Sequence, residues 1–308
     1  MKSINTILCG TGYGATYLPI LAGISDFNLC GIYSRGSERS LEYSQRLNIP
    51  NYTCLSELPD NIQLAVIAIS GKSGTDLAKH FLNQGTHVLL EHPIDPASLQ
   101  ELISISQAGN AKCFINSHFR YTHAISNFLE LIETQQLKPN SIVVSTSART
   151  LFSLLDILID GFGNPDNQEI TFQKTDKYLQ CFLCIKNSTV LLNLQSWKLE
   201  DDDGKDVFMG HVIQAFYQSK SIQLVNTWGP VIEQKQVINN VTSPLVRISG
   251  ELTSPQDIFS SRRTANKNIL LSLKSAIETN EIPKEQKAEH LLTVAKLWQQ
   301  IKLNTNQN

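Results

Sequence analysis

Residues Asn5–Ala15 read NTILCGTGYGA. Ile7 and Leu8 lie in a short apolar run of the kind that forms a buried strand, and Thr16–Ala22 can continue as a helix. Between them stand glycines 10, 12 and 14 and then Ala15, a G-x-G-x-x-A turn joining strand to helix. In such a turn Gly10 gives the tight bend, Gly12 lets backbone approach a pyrophosphate, and Ala15 is small enough for helix to pack on strand. The unpaired N–H groups and positive end of the new helix then face the phosphates. The expected cradle for a dinucleotide is therefore Gly10, Thr11, Gly12, Tyr13 and Gly14.

Around this turn the first 120 residues alternate strand and helix. Strands are expected at Phe27–Ser34, Leu64–Ser70, His87–Leu90 and Lys112–Asn116, with helices at Glu38–Leu47, Thr75–Asn83 and Pro96–Ala108. Leu64–Ser70 is apolar without alternation, as in a strand covered on both faces. The order implies parallel strands with right-handed crossovers, an α/β doubly wound sheet.

Beyond residue 120 the pattern changes. Helices are expected at Thr122–Thr134 and Leu151–Ile159, the latter ended by Gly161, and a strand at Ser141–Ser147. Strand-like segments follow at Glu169–Lys174, Leu179–Ile185, Thr189–Leu199, Val207–Ser219 and Ser221–Val225, with hairpin turns at Asn187 and Asp203-Gly204. Helices Ala265–Thr279 and Glu285–Lys302 close the chain. The reading is two domains, 1–120 and 121–308. The second is α+β with a mostly antiparallel open sheet and contains the closing helices of 265–302.

The composition fits this. In 308 residues, 41% are hydrophobic and 18% charged, and the net charge is −2. No strong field draws such a chain to nucleic acid or anionic membrane, and no apolar run is long enough to span a bilayer. The start MKSINTILCG has too short an apolar run for a secretion signal. Four of the six cysteines lie in or beside apolar runs, which suits reduced thiols in the cytoplasm. Cys181 and Cys184 would point to opposite faces of a strand, and His118 and His123 have no carboxylate in ligand spacing, so no metal site is expected. Asp201-Asp202-Asp203-Gly204 has Leu199 at the first ligand position of a calcium loop and reads as a solvated turn.

The end of the second strand carries Ser34, then Arg35-Gly36-Ser37-Glu38-Arg39, where an NAD-preferring sheet usually has a carboxylate. Serine hydroxyls and the guanidinium groups of Arg35 and Arg39 favour a 2′-phosphate, hence NADPH. The plainer reading is that these arginines solvate a helix start. Ser70-Gly71-Lys72-Ser73-Gly74 lacks the earlier glycine of a P-loop and is expected to be a loop beside the cofactor, with Ser70 and Gly71 in contact.

Glu91-His92-Pro93 ends the fourth strand, at the carboxyl rim where open sheets bind ligands. Pro93 admits a cis bond, and His92 can serve as a general acid. Asn116-Ser117-His118-Phe119-Arg120-Tyr121 ends the fifth strand. Asn116 suits the nicotinamide ribose or amide, and Glu91 the same end of the cofactor. If the chain stays extended, His118 and Phe119 point to opposite sides. The proton donor stays open among His92, His118 and Tyr121.

These features resemble the glucose–fructose oxidoreductase/inositol dehydrogenase (Gfo/Idh/MocA) superfamily. Most members have Glu-Lys-Pro in place of Glu91-His92-Pro93 and an Asp-x-Gly-x-His motif on the first helix of the second domain. Here that helix reads LFSLLDILIDGFG, where Asp156 is kept and Ile157-Leu158 follows, without the glycine and histidine of the motif. Four segments are similar to a narrower branch, the thiazolinyl imine reductases of siderophore biosynthesis: Ile32–Ser40, Gly74–Pro96, Phe114–Asn116 and Thr146–Ile159. Phe119 stands where that branch carries a tyrosine proposed as the acid.

The resemblance implies NADPH-dependent reduction of a thiazoline C=N to a thiazolidine. The substrate would be tethered by phosphopantetheine to a carrier domain of a nonribosomal peptide synthetase, with a slot for the tether between the domains. It also implies a homodimer through the antiparallel sheet. An imine nitrogen is basic enough for ordered water to protonate it, so loss of one acid would cost only modestly. The competing readings are an NADP-dependent dehydrogenase of a sugar or cyclic polyol, and a non-catalytic NADP-binding sensor or scaffold.

Overall fold

Apolar runs bounded by glycine turns become the inner strands of a parallel sheet. A computed structural model describes residues 3–166, 170–175, 178–195, 210–235, 245–250 and 255–305. Six strands, β1 (Ile4–Cys9), β2 (Phe27–Tyr33), β3 (Asn51–Tyr52), β4 (Leu64–Ile67), β5 (His87–Leu90) and β6 (Cys113–Ile115), pair in the order β3-β2-β1-β4-β5-β6, all parallel. The order reverses between β1 and β4, the switch point at whose carboxyl rim such sheets bind ligands. Ile7, Leu8, Val66 and Leu89 are buried in this layer.

The connecting helices are α1 (Leu18–Leu21), α2 (Glu38–Leu47), α3 (Gly71–Asn83) and α4 (Pro96–Gly109). Ser37 and Asp95 cap α2 and α4, each accepting a backbone N–H in its first turn. Two expectations fail here. The helix expected at Thr16–Ala22 is a 3-10 turn, Tyr13–Thr16, followed by the single turn α1. Four residues sum too few peptide dipoles to make α1 the main anion-binding end. Conversely, Ser70–Gly74 is not a loop: Ser70 is the N-cap of α3, which starts at Gly71 and runs thirteen residues.

The second unit begins with α5 (His123–Glu133), β7 (Ser141–Ser147) and α6 (Leu151–Phe162). Strands β8 (Thr171–Lys174), β9 (Tyr178–Ile185), β10 (Ser188–Gln195), β11 (Val212–Phe216), β12 (Lys220–Leu224), β13 (Val231–Lys235) and β14 (Leu245–Ser249) join β7. Their order is β14-β13-β12-β11-β7-β10-β9-β8. Among the described strands only β7 and β10 pair in parallel. Lys186 and Asn187, both at positive φ, turn the hairpin between β9 and β10. α6 continues through Gly161 and ends at Gly163, whose φ is 98°. The expected turn at Asp203-Gly204 and the end of the Thr189–Leu199 strand lie outside the described residues.

The chain closes with α7 (Pro255–Thr279) and α8 (Ala288–Thr305). The compact units are 1–118 with 263–295, and 119–262 with 296–308. Most of the closing helices therefore counts with the parallel sheet and not, as the sequence suggested, with the second domain. Gln286 supplies a physical reason. Its amide accepts from the Ile115 N–H at 2.9 Å and donates to the Ile115 carbonyl at 3.0 Å, completing the open edge of β6 as a strand would.

Candidate functional site

Gly10 has φ +87°, and a Cβ there would sit 2.8 Å from the Ile69 side chain. Its N–H donates to the Tyr33 carbonyl, which ties the turn to β2. The close-packing position is Gly14 rather than Ala15. A Cβ on Gly14 would meet the Ala68 Cβ at 3.0 Å, whereas Ala15 is half-buried. Gly12 is exposed, and only the Arg39 guanidinium comes within 4 Å of where its Cβ would be.

A cleft of about 740 Å³ opens beside this turn. It is lined by Gly10, Thr11 and Gly12, by Ser34, Arg35, Ser37 and Arg39 from the β2–α2 turn, and by Ser70 of α3. The arginines are exposed, and among the described residues neither makes an ion pair. The serines are already engaged. Ser34 donates to Asn51 Oδ1 at 2.9 Å and accepts from the Gly36 N–H, and Ser37 caps α2. Any anion at this wall therefore falls to the two arginines rather than to the hydroxyls.

The sequence reading missed part of the lining: Leu55, Ser73, Asp76, Leu77 and His80. Four of these lie on one face of α3, at helical spacing. Starting that helix at Gly71 instead of Thr75 would have revealed them. Tyr13, Gly14, Gly71, Glu91 and Asn116 do not line this cleft.

At the ends of β5 and β6 a second group assembles. The His92–Pro93 bond is cis. His92 Nδ1 lies 2.6 Å from the Asn116 carbonyl, an acceptor only, so Nδ1 carries a hydrogen and Nε2 is the nitrogen whose proton can come and go. The Glu91 carboxylate is 3.2 Å from Nδ1 and accepts from the Asn116 amide at 2.9 Å. Burial holds the Glu91 carboxyl above its ordinary range, opposed by the His92 charge and the Asn116 hydrogen bond. The Asn116 Oδ1 is buried with no hydrogen-bond partner among the described residues, an acceptor in want of a donor. These orphaned and unpaired groups fit a dinucleotide: an amide-bearing end at Asn116 and a phosphate-bearing end at Arg35 and Arg39.

The remaining candidates separate. Residues 118–121 form a 3-10 turn, not an extended run, so the expected alternation of His118 and Phe119 does not apply. Tyr13 Oη lies 3.0 Å from His118 Nε2 and 3.3 Å from Asn266 Oδ1, and Asn266 Nδ2 donates to Thr16 at 3.0 Å. Tyr121 belongs to the second unit. There Arg120 holds Asp160 at 2.7 Å and Asp156 at 3.5 Å, all three buried. Asp156 is thus a structural ion-pair partner, and Ile157 and Leu158 are core. Buried His211 bridges Ser153 (2.8 Å) and Thr227 (2.9 Å) and packs on Phe119 at 4.9 Å between ring centres. Its partners are distant in sequence, so no local signal marks it.

Two family models match the chain. Residues 4–117 match an oxidoreductase family with an NAD-binding Rossmann fold, and residues 137–234 match the C-terminal domain of Irp3-like thiazolinyl imine reductases. Among characterised sequences, scyllo-inositol 2-dehydrogenase (NADP(+)) IolU of Bacillus subtilis is 30% identical over 120 residues, 37% of this chain and 36% of that protein. An uncharacterized oxidoreductase of Schizosaccharomyces pombe is 29% identical over 147 residues, 44% of this chain and 40% of that one. The matched regions thus cover well under half of either relative. Among solved structures, UDP-N-acetylglucosamine 3-dehydrogenase GnnA of Acidithiobacillus ferrooxidans superposes with TM-score 0.76 at 14% identity, covering 98% of both chains. The dehydrogenase MviM of Clostridium difficile superposes at 0.77 and 16%, covering 98% of this chain and 100% of its own. At such identities the likeness is one of fold. No helix among the described residues is long and apolar enough to cross a membrane.

Proposed function

Because the chain belongs to the Gfo/Idh/MocA oxidoreductases, with an NAD(P)-binding Rossmann domain and an Irp3-like C-terminal domain, we propose that it reduces a thiazoline C=N to a thiazolidine using NADPH. The observation that carries the reading is His92 at the rim of β5. Its Nδ1 is fixed by the Asn116 carbonyl, and its Nε2 is presented as the proton-exchanging nitrogen.

Bound NADPH would supply the hydride for the imine carbon. The chain's own task is then small: to hold the reactants, exclude water and deliver one proton to the ring nitrogen. His92 Nε2–H is the donor in this proposal, and buried Glu91 steadies the imidazolium before transfer. Arg35 and Arg39 favour the 2′-phosphate of NADPH. Polyol oxidation needs a base on the second domain, and the histidine position of that motif, four residues past Asp156, holds Asp160, which is paired with Arg120 at 2.7 Å.

The same proposal takes a phosphopantetheine-tethered intermediate on a nonribosomal peptide synthetase carrier domain as substrate, in siderophore assembly in the cytoplasm. All six cysteines are free, which suits a reducing compartment. It also takes the enzyme as a homodimer through the sheet of the second unit. One face of that sheet carries no charged residue among its described strand positions, and the register row Phe182, Leu191, Val143, Gln214, Gln223, Ile232 and Ile248 crosses seven strands. Phe182 is 37% exposed and Ile248 62%.

The test follows NADPH oxidation with a pantetheinyl thiazoline thioester, and NADP+ reduction with inositols and nucleotide sugars. Turnover of the thiazoline alone supports the reading. Turnover of a polyol alone overturns it, and NADPH binding without any turnover leaves the sensor reading in its place.

A further inference from the structure

The α3 wall of the cleft offers more than a phosphate site. Ser73, Asp76, Leu77 and His80 line it along one helix face. The start of α3 lies beside the glycine turn, since Ala68 and Ile69 pack on Gly10. At 1.5 Å of rise per residue, His80 stands about 13 Å from Gly71 along the axis, toward the opposite end. The His80 imidazole is half-buried, touches Phe81 at 5.6 Å between ring centres, and has no hydrogen-bond or ion-pair partner among the described residues. One turn earlier, Asp76 Oδ2 accepts from Lys72 Nζ at 2.5 Å. Its other carboxylate oxygen has no hydrogen-bond partner among the described residues. Leu55 and Leu77 supply apolar lining.

We infer that this end of the cleft selects adenine by its edge. Leu55 and Leu77 cover the faces of the purine, Asp76 Oδ1 accepts from the exocyclic 6-amino group, and His80 donates to the neighbouring ring nitrogen N1. A 6-oxopurine reverses both groups: it sets an oxygen against the carboxylate and an N–H against the imidazole donor. The inference rests on the dinucleotide reading of the same cleft, but it concerns base recognition, which nicotinamide chemistry does not require.

The test is fluorescence titration with NADPH and with its reduced hypoxanthine analogue. The wild type should bind the analogue about tenfold more weakly, as for loss of a hydrogen bond to a charged group. Asp76→Ala should weaken NADPH and bring the two dissociation constants within about threefold. Asp76 is exposed, so the fold should survive its loss. His80→Phe should also narrow the gap. Equal binding of both by the wild type, or undiminished discrimination in Asp76→Ala, overturns the inference and leaves the cofactor reading intact. Failure of both nucleotides to bind overturns the two together.

Discussion

The phenol oxygen of Tyr13 stands 3.0 Å from Nε2 of His118, within a buried cluster that Asn266 closes. A residue of the glycine turn is thereby tied to the end of β6, and His118 is engaged at the nitrogen that a proton donor would need. Tyr13→Phe removes the phenol oxygen that His118 and Asn266 share and should cost about 1–3 kcal/mol in urea unfolding. His118→Gln should keep turnover within about threefold. A hundredfold loss would move the proton donor from His92 to His118.

For His92 the expected outcome is different. His92→Asn can still donate to the Asn116 carbonyl, its Nδ2 taking the place of the imidazole Nδ1, so the rim keeps its shape while the exchangeable proton is lost. Turnover should fall about a hundredfold, the low end for general acid catalysis because water can also protonate an imine. The dissociation constant for NADPH should stay within about threefold. Tyr121→Phe serves as the control, and a larger loss there than in His92→Asn would refute the assignment.

Arg35 and Arg39 bear on cofactor choice. Neither makes an ion pair among the described residues, and both line the cleft beside the β2–α2 turn. Replacing both with alanine should weaken NADPH at least tenfold and leave NADH within about threefold, because only the former carries the 2′-phosphate. Equal losses for the two would show that these side chains serve the diphosphate instead.

The pattern of what the sequence disclosed is itself physical. Glu38–Leu47, His87–Leu90 and Ser141–Ser147 were legible to the residue, because capping and apolar runs act locally. β3 is two residues long, and the partners of Gln286 and His211 lie far along the chain, so no window could reveal them. At the site, the glycine turn and the His92 rim were readable as motif. The hydrogen bond of Ser34 to Asn51 and the Arg120–Asp156 pair were not, since each depends on a group distant in sequence, and the α3 wall was lost with the late start given to that helix.

The buried Glu91 carboxyl gives a pH signature of definite sign. Its folded pKa is raised by burial. From about pH 4.3, the ordinary value for glutamate, up to the folded value, the native state holds more proton than the unfolded state. Stability therefore falls as pH rises through that window and is flat with respect to this group above it. Glu91→Gln cannot titrate, so its stability relative to wild type should rise across the same window. Parallel urea-denaturation curves at every pH would contradict this.

The uncharged sheet face makes the last prediction. An isologous interface repeats each side chain, so one new carboxylate becomes two on dimerisation, both removed from water. Phe182→Asp places such a charge in the row shared with Leu191 and Val143, at a position that is 37% exposed and not part of the core. Light scattering should find the wild type dimeric and Phe182→Asp monomeric, with the same far-ultraviolet circular dichroism and the same NADPH affinity. The affinity should hold because the cleft is built wholly from the parallel-sheet unit. A variant that stays dimeric would mean that copies meet through another surface, and a monomeric wild type would mean that the apolar row serves some other contact.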